Sequence, residues 1–127
     1  MRYDVVIIGA GAAGFGCALT LGSANDKFDW AKDKKYLILD DNKSDLNVGK
    51  YFNVAGVDSG INGVDLLLKM KKQLEIYKDV ELKDDKATKI ENLGEYFKIT
   101  TQNSTYEASI VVLATGLHKF DIECEGV

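Results

Sequence analysis

The amino-acid sequence predicts an α/β fold, with a parallel β-sheet, crossover helices and a small antiparallel β-meander. Three short apolar runs, at 5–8 within a strand over 3–8, at 36–39 and at 110–114, are continuous rather than alternating, which is typical of strands buried on both faces of a parallel sheet. Helical patterns separate these runs, and such alternation favours right-handed crossovers within one sheet. Between residues 80 and 107 the apolar period changes to two, which indicates the meander.

The first part of the chain predicts two strands and one helix. The strand at 3–8 ends in a glycine-rich turn, and a helix over 12–21 follows it. The polar stretch 23–35 either lengthens this helix or forms a surface loop. The second buried strand, 36–39, ends at two aspartates.

The middle of the chain begins with a long polar connection, 40–63, of a length that is usually functional or mobile. A helix is predicted over 64–78, because apolar residues recur there at spacings of three and four, and Asn62 can cap it. Three lysines are expected on the solvated side of this helix: Lys69, Lys71 and Lys72.

The meander and one more buried strand complete the predicted sheet. Short strands are expected at 80–82, 87–93, 96–101 and 104–107. The third continuous apolar run, 110–114, predicts another parallel strand, and a polar tail follows it.

Composition limits the classes of function. A chain of 127 residues with 46% hydrophobic and 28% charged residues fits a single soluble domain, 1–127. The net charge of −4 argues against nucleic acid as a partner, and no apolar run approaches the ~20 residues of a membrane span. Two cysteines, Cys17 and Cys124, are too few for a disulfide framework or a cysteine metal site. We therefore expect a cytoplasmic protein that binds no metal.

The strongest motif is the glycine pattern Gly9-Ala10-Gly11-Ala12-Ala13-Gly14, because it lies between a predicted strand and a predicted helix. Gly9 allows a sharp turn, Gly11 lets a pyrophosphate approach the backbone, and Gly14 lets the helix pack closely on the strand. The start of the helix would present free N–H groups to the phosphates. The alternative is a glycine turn that serves packing alone.

Asp40 stands at the end of the second predicted strand, where a carboxylate can accept hydrogen bonds from ribose hydroxyls. Such a carboxylate would repel a 2′-phosphate. Its distance of 26 residues from Gly14 exceeds the usual ~20, which the polar stretch 23–35 explains as an insertion. Asp41 could take the same role, and a solvated strand-end acid is the alternative.

Motif and context leave FAD and NAD open as ligands, and a resemblance to a known family favours FAD. The segment YDVVIIGAGAAGFG (3–16) resembles the opening of two-dinucleotide-binding flavoproteins, and ASIVVLATG (108–116) resembles their second fingerprint. Between them, 53–56 and 60–66 resemble the N-x-P-G and G-I-x-G-x-x-L segments of the thioredoxin reductase branch. The chain thus resembles thioredoxin-reductase-like FAD-dependent pyridine nucleotide-disulfide oxidoreductases.

This resemblance implies a Rossmann-like FAD-binding fold and FAD as cofactor. The cofactor-binding residues that it implies are Gly9, Gly11, Ala12, Ala13, Gly14, Asp40, Asp41, Asn53, Lys86, Ala87, Ala114, Thr115 and Gly116. The glycine turn would hold the pyrophosphate and the strand-end acid the adenosine ribose. The backbone around Lys86 and Ala87 would face the adenine, Thr115 and Gly116 would lie near the pyrophosphate and ribityl chain, and Asn53 would approach the flavin ring.

The sequence also departs from the family pattern. Ala55 stands where the branch usually has proline, and 42–48 offers no counterpart to a glycine-glycine-glutamine run. A C-x-x-C pair, a second glycine fingerprint and the late glycine-aspartate element are missing. We therefore expect an incomplete fold: the FAD-binding, ADP-moiety-binding portion of an oxidoreductase, without the NAD(P)H domain or the dithiol. Another chain or a C-terminal segment would complete the flavin site, and a homo-oligomer stays open.

Two other functions stay open: a non-catalytic dinucleotide-binding module and an NAD-dependent dehydrogenase domain. The A-T-G and G-I-x-G segments disfavour the second. No side chain is a convincing catalytic acid, base or nucleophile, so no catalytic residue is predicted. Cys17 is expected in the core and His118 at the surface.

Overall fold

The structure, a computed structural model, describes residues 2–116 and 122–126. Its helices and strands within these ranges are, in chain order, β1 (Arg2–Ile8), α1 (Ala12–Lys27), β2 (Tyr36–Asp40), β3 (Lys50–Tyr51), β4 (Ile61–Asn62), α2 (Gly63–Leu74), β5 (Val80–Asp84), β6 (Ala87–Asn92), β7 (Phe97–Thr101), β8 (Thr105–Leu113) and β9 (Glu123–Cys124). Two short 3₁₀ turns accompany them, Asp29–Ala31 and Asp45–Val48.

Seven strands form one mixed sheet in the order β5-β2-β1-β8-β7-β6-β9. Strands β5, β2, β1 and β8 are parallel to one another, whereas β7 runs antiparallel to both β8 and β6. Strands β3 and β4 form a separate two-stranded ribbon inside the long connection. The predicted α/β class, with its parallel sheet and antiparallel meander, is confirmed.

Two details of the predicted meander are wrong. The strand expected at 80–82 is the parallel edge strand β5, paired with β2. The strands expected at 104–107 and 110–114 are one strand, β8, whose first residues pair with β7 and whose later residues pair with β1. An edge strand and a meander strand are both half-exposed, so an alternating pattern does not distinguish them.

Helix α1 begins at the predicted residue and α2 one residue before it, and both end elsewhere than predicted. Helix α1 includes the first part of the polar stretch, to Lys27, and α2 stops at Leu74 rather than at 78. Asn62 caps α2 as expected, because its Oδ1 accepts a hydrogen bond of 2.9 Å from the Asp65 N–H. The apolar side of α2, including Leu67, packs with Phe15 of α1 against the parallel strands.

A polar cluster fastens the amino-terminal end of β2. The hydroxyl of Tyr36 donates to Asn25 Oδ1 at 2.7 Å, and the Asn25 amide donates to Asp79 Oδ2 at 3.1 Å. Lys35 pairs with the same Asp79 carboxylate. The hydrogen bond from Lys35, followed by that from Asn25, lowers the pKa of Asp79 below its ordinary value. This cluster joins α1, β2 and the chain before β5.

Candidate functional site

The carboxyl ends of β1, β2 and β8 surround a cavity of about 280 Å³. Eleven of the predicted cofactor-binding residues line it: Gly9, Gly11, Ala12, Ala13, Asp40, Asp41, Lys86, Ala87, Ala114, Thr115 and Gly116. Gly14 and Asn53 are the two predicted residues that do not. Gly14 is buried beneath the turn, and Asn53 is exposed on the long connection. Such a crevice at the carboxyl edge is where parallel sheets place their ligands.

The glycine turn that joins β1 to α1 is packed against neighbouring backbone. Gly9 has a φ of +107°, which favours glycine, and a Cβ atom there would lie 2.2 Å from the Ala114 carbonyl oxygen. A Cβ atom on Gly14 would lie 1.8 Å from the Gly9 carbonyl oxygen. These two glycines therefore allow the turn to fit between β8 and the start of α1.

Gly11 differs from these two because it lines the cavity and a Cβ atom there would crowd a side chain rather than backbone. A Cβ atom on Gly11 would meet only the Ser44 hydroxyl oxygen within 4 Å, at 3.1 Å. Its φ of −96° is available to other residues, so packing of the turn does not require glycine here. Gly11 therefore lies at the cavity, whereas Gly9 and Gly14 pack against backbone.

The start of α1 opens onto the same cavity. Within the described ranges, no side chain caps this helix at its N-cap residue Gly11, and its first turn contains no acid. The first helical hydrogen bond runs from the Phe15 N–H to the Gly11 carbonyl, at 3.0 Å. The N–H groups before Phe15 thus lie ahead of the first intrahelical donor, and they carry the positive end of the helix dipole.

Asp40 is buried at the end of β2, with its carboxylate held at both oxygens. Oδ1 accepts a hydrogen bond of 2.8 Å from the Asn42 N–H, and Oδ2 lies 3.6 Å from Lys71 Nζ. Asn42 has a φ of +61°, a conformation that asparagine tolerates better than most residues. Asp41 is only half-buried and accepts from the Lys43 N–H at 3.0 Å, so Asp40 is the more enclosed acid.

Lys71 corrects one expectation from the sequence. The sequence predicts Lys71 on the solvated side of α2. In the structure it is half-buried and its side chain extends to Asp40. A second, smaller cavity of about 110 Å³ lies beside this pair and shares Asp40 with the first. The helical periodicity does not predict this ion pair. It places Lys71 next to the apolar stripe but does not indicate which residue Lys71 contacts.

Asp85 is a second residue that the sequence did not single out. It is buried, lines the main cavity and precedes Lys86. Its carboxylate accepts from Thr101 Oγ1 at 2.6 Å, from the Asn103 amide at 3.1 Å and from the Lys86 N–H at 2.9 Å. Its own N–H donates to the Asp40 carbonyl at 3.0 Å. Asp85 therefore fixes the 85–87 segment against β2 and β7.

The long connection contributes a wall that sequence reasoning left unassigned. The lining residues from this part are Ser44, Asp45, Leu46 and Tyr51. Ser44 begins the 3₁₀ turn and accepts from the Leu46 N–H at 3.3 Å, while the Tyr51 hydroxyl donates to the Leu46 carbonyl at 3.2 Å. The sequence contains one indication of this turn, since a serine followed by an acid, here Ser44 and Asp45, is common where such turns begin. From the tail, Ile122 is buried and also lines the cavity.

The two cysteines belong to separate parts of the core. Cys17 packs with the cluster that contains α1 and α2, and Cys124 packs with the cluster around β6 and β7. Burial raises the pKa of the Cys17 thiol above its ordinary value, which disfavours the reactive thiolate. His118 lies outside the described residues. Within 2–116 and 122–126, no group of three or more metal-ligating side chains is found.

No helix in the described ranges is both long and apolar enough to cross a membrane.

Comparisons with known proteins agree with the motifs. The family model for pyridine nucleotide-disulphide oxidoreductases matches residues 3–127. A thioredoxin reductase from Treponema pallidum (strain Nichols) is 32% identical over 114 residues, which cover 90% of this chain and 35% of that protein. The chain thus spans about a third of the length of this curated relative.

Two solved structures share the fold over almost the whole chain. A thioredoxin reductase from Gloeobacter violaceus superposes with a TM-score of 0.80 and 27% identity, covering 94% of this chain and 38% of that one. The enzyme from Streptococcus pyogenes MGAS5005 gives 0.79 and 32% identity, with 94% and 37% covered. Membership of this family implies a flavin cofactor. The chain belongs to the pyridine nucleotide-disulphide oxidoreductase family and corresponds to the FAD-binding portion of a thioredoxin-reductase-like flavoprotein.

Proposed function

We propose that this chain binds FAD, mainly through the ADP portion of the cofactor, as part of a thioredoxin-reductase-like oxidoreductase. The observation that carries the proposal is the space at Gly11. This glycine faces the cavity next to an uncapped helix start, and a side chain there would enter the space where a pyrophosphate must reach backbone. A Cβ atom at Gly11 would crowd only Ser44 Oγ, so backbone packing does not require glycine there.

The size of the cavity supports binding of one part of the dinucleotide. At about 280 Å³, it lies just below the ~300–1,000 Å³ of typical clefts for drug-sized ligands. The ADP half therefore suits this cavity better than the whole cofactor. The flavin ring would extend beyond it, towards Asn53, and a further segment or another chain would complete its site.

We assign the groups of the ADP portion to three parts of the cavity. Backbone N–H groups at Ala12 and Ala13 would face the pyrophosphate, since they belong to the positive end of α1. Asp40 would accept hydrogen bonds from the adenosine ribose, with Asp41 beside it. The backbone around Lys86 would face the adenine, held in place by Asp85.

The remaining lining residues belong to the end of β8. Ala114, Thr115 and Gly116 would lie near the pyrophosphate and ribityl chain. A bound flavin supplies the electron-transfer chemistry, and the chain supplies binding and orientation. We also propose a cytoplasmic location, because two free cysteines fit a reducing compartment.

The test compares three ligands on the purified protein. FAD contains the ADP portion and the flavin, ADP contains only the first, and FMN contains only the second with its own phosphate. We expect saturable binding of FAD and ADP, displacement of FAD by ADP, and no saturable binding of FMN at the same concentrations. Equal binding of FMN and FAD without competition by ADP would contradict the assignment. Calorimetric titration and flavin fluorescence measure these outcomes.

A further inference from the structure

Lys71 lies close to the carboxylate to which we assign the adenosine ribose. Its Nζ is 3.6 Å from Asp40 Oδ2, with the lysine side chain 34% exposed and the aspartate side chain 7% exposed. Asp40 lines both cavities, whereas Lys71 lines only the smaller one. Lys71 therefore approaches the carboxylate from the side away from the proposed nucleotide.

Two contacts within the chain hold the Asp40 side chain in place. The Asn42 N–H donates to Oδ1 at 2.8 Å, and the Lys71 ammonium lies beside Oδ2. Each carboxylate oxygen has two lone pairs, so each retains an acceptor direction for a ribose hydroxyl. Such fixing of an acceptor lowers the entropy cost of binding.

The pair also sets the local charge that a 2′-phosphate would meet. An isolated, buried carboxylate within a few ångströms of a phosphate repels it, and a neighbouring ammonium offsets part of that repulsion. Lys71 is the cation closest to Asp40 among the described ion pairs. A ligand with a free 2′-hydroxyl uses the fixed acceptor, whereas a 2′-phosphate depends on the balance between the two charges.

We propose that Lys71 is a positioning and selectivity residue, which orients Asp40 for an unphosphorylated adenosine ribose and limits the repulsion of a 2′-phosphate. This inference rests on the proposed function, since it concerns the same ribose position. A plain surface ion pair would contribute ~0–1 kcal/mol to stability and would leave nucleotide selectivity unchanged. Selectivity therefore distinguishes the two roles.

The experiment measures dissociation constants of ADP and 2′-phospho-ADP by calorimetry on the purified protein. In the unmodified protein, ADP is expected to bind ~10-fold more tightly. Lys71→Met keeps the apolar stem and removes the charge. ADP should bind somewhat more weakly because Asp40 loses an orienting contact, whereas 2′-phospho-ADP should lose a further ~10-fold because the repulsion is no longer offset, so that the ratio widens ~10-fold. Lys71→Arg, which restores a cation, should return the ratio towards that of the unmodified protein.

A double-mutant cycle isolates the action through Asp40. Asp40→Asn removes the repulsion, so 2′-phospho-ADP should bind at least as tightly as ADP while Lys71 is present. Asp40→Asn combined with Lys71→Met should lose that gain. Lys72→Met, on the exposed side of the same helix, is the matched control and should keep the original ratio.

The outcomes separate failure of this inference from failure of the proposed function. If ADP binds and Lys71→Met gives the same ratio as Lys72→Met, Lys71 has no role in selectivity and the inference is overturned. Equal behaviour of Asp40→Asn with and without Lys71 overturns it as well. If neither nucleotide binds the unmodified protein, the proposed function fails and the inference fails with it. Circular dichroism and thermal unfolding verify that each variant is folded.

Discussion

A Cβ atom on Gly14 would lie 1.8 Å from the carbonyl oxygen of Gly9. In the same turn, Gly11 lines the cavity, and a Cβ atom there would meet only the Ser44 hydroxyl oxygen rather than backbone. Glycine is thus required for different physical reasons at different positions of one motif. Each reason predicts its own measurable effect of substitution.

Replacement of Gly14 should therefore destabilise the fold. Gly14→Ala forces α1 away from the end of β1, and we expect a loss of at least ~3 kcal/mol in the free energy of unfolding, at the upper end of overpacking effects. Gly16→Ala is the matched control, because a Cβ atom there meets nothing within 4 Å. In a helix interior that change should stabilise by ~0.5–1 kcal/mol. Urea unfolding measures both, and equal stability of the two variants would contradict the packing role.

Removal of the Asp85 carboxylate should affect both stability and nucleotide binding. Asp85→Ala removes a charged acceptor of hydrogen bonds from Thr101 and Asn103, which should cost ~1.5–3 kcal/mol of unfolding free energy. The Lys86 segment then loses its anchor, so ADP affinity should fall as well. Asp84→Ala, at the exposed neighbouring position, should change neither quantity. A destabilised Asp85→Ala variant that keeps full ADP affinity would show that Asp85 does not position the site.

The polar cluster at the other end of β2 should make stability depend on acidity. Because the pKa of Asp79 is lowered in the folded state, its contribution is present above the ordinary value of 3.8 and is lost as the pH falls through the folded value. Urea midpoints should therefore decline below about pH 4. Asp79→Asn should flatten that decline, while Asp26→Asn, exposed on α1, should leave it as it is. An unchanged pH profile in Asp79→Asn would refute the assignment.

Local pattern was sufficient for most of the fold. The continuous apolar runs predicted β1 and β2, the glycine motif located the turn, and Asn62 was recognised as a cap. The partner of β5 and the fusion of two predicted strands into β8 were not predictable in this way. Strand pairing depends on which segments meet in three dimensions, and a half-exposed strand has the same pattern beside either kind of neighbour.

The candidate site likewise contains residues that the sequence predicts and residues that only the structure shows. Motifs and the family resemblance predicted the glycine turn, Asp40 and the end of β8 as site residues, and all of these except Gly14 line the cavity. Lys71 and Asp85 were missed because the sequence around a charged residue does not show which residue it will contact in the folded chain. Their contacts join residues far apart in the sequence, so only the folded chain reveals them.

The central claim is that Gly11 keeps open the space in which a pyrophosphate meets backbone. Gly11→Val places a side chain at the cavity, while the φ of −96° suits other residues. Its nearest neighbour would be Ser44 Oγ at 3.1 Å, a side-chain atom that must shift by a few tenths of an ångström, rather than backbone. Titration of FAD into this variant, followed by flavin fluorescence, tests the claim most directly. We predict a loss of affinity of at least ~100-fold, with an unfolding midpoint close to that of the unmodified protein. A folded Gly11→Val variant that binds FAD with unchanged affinity would contradict the account.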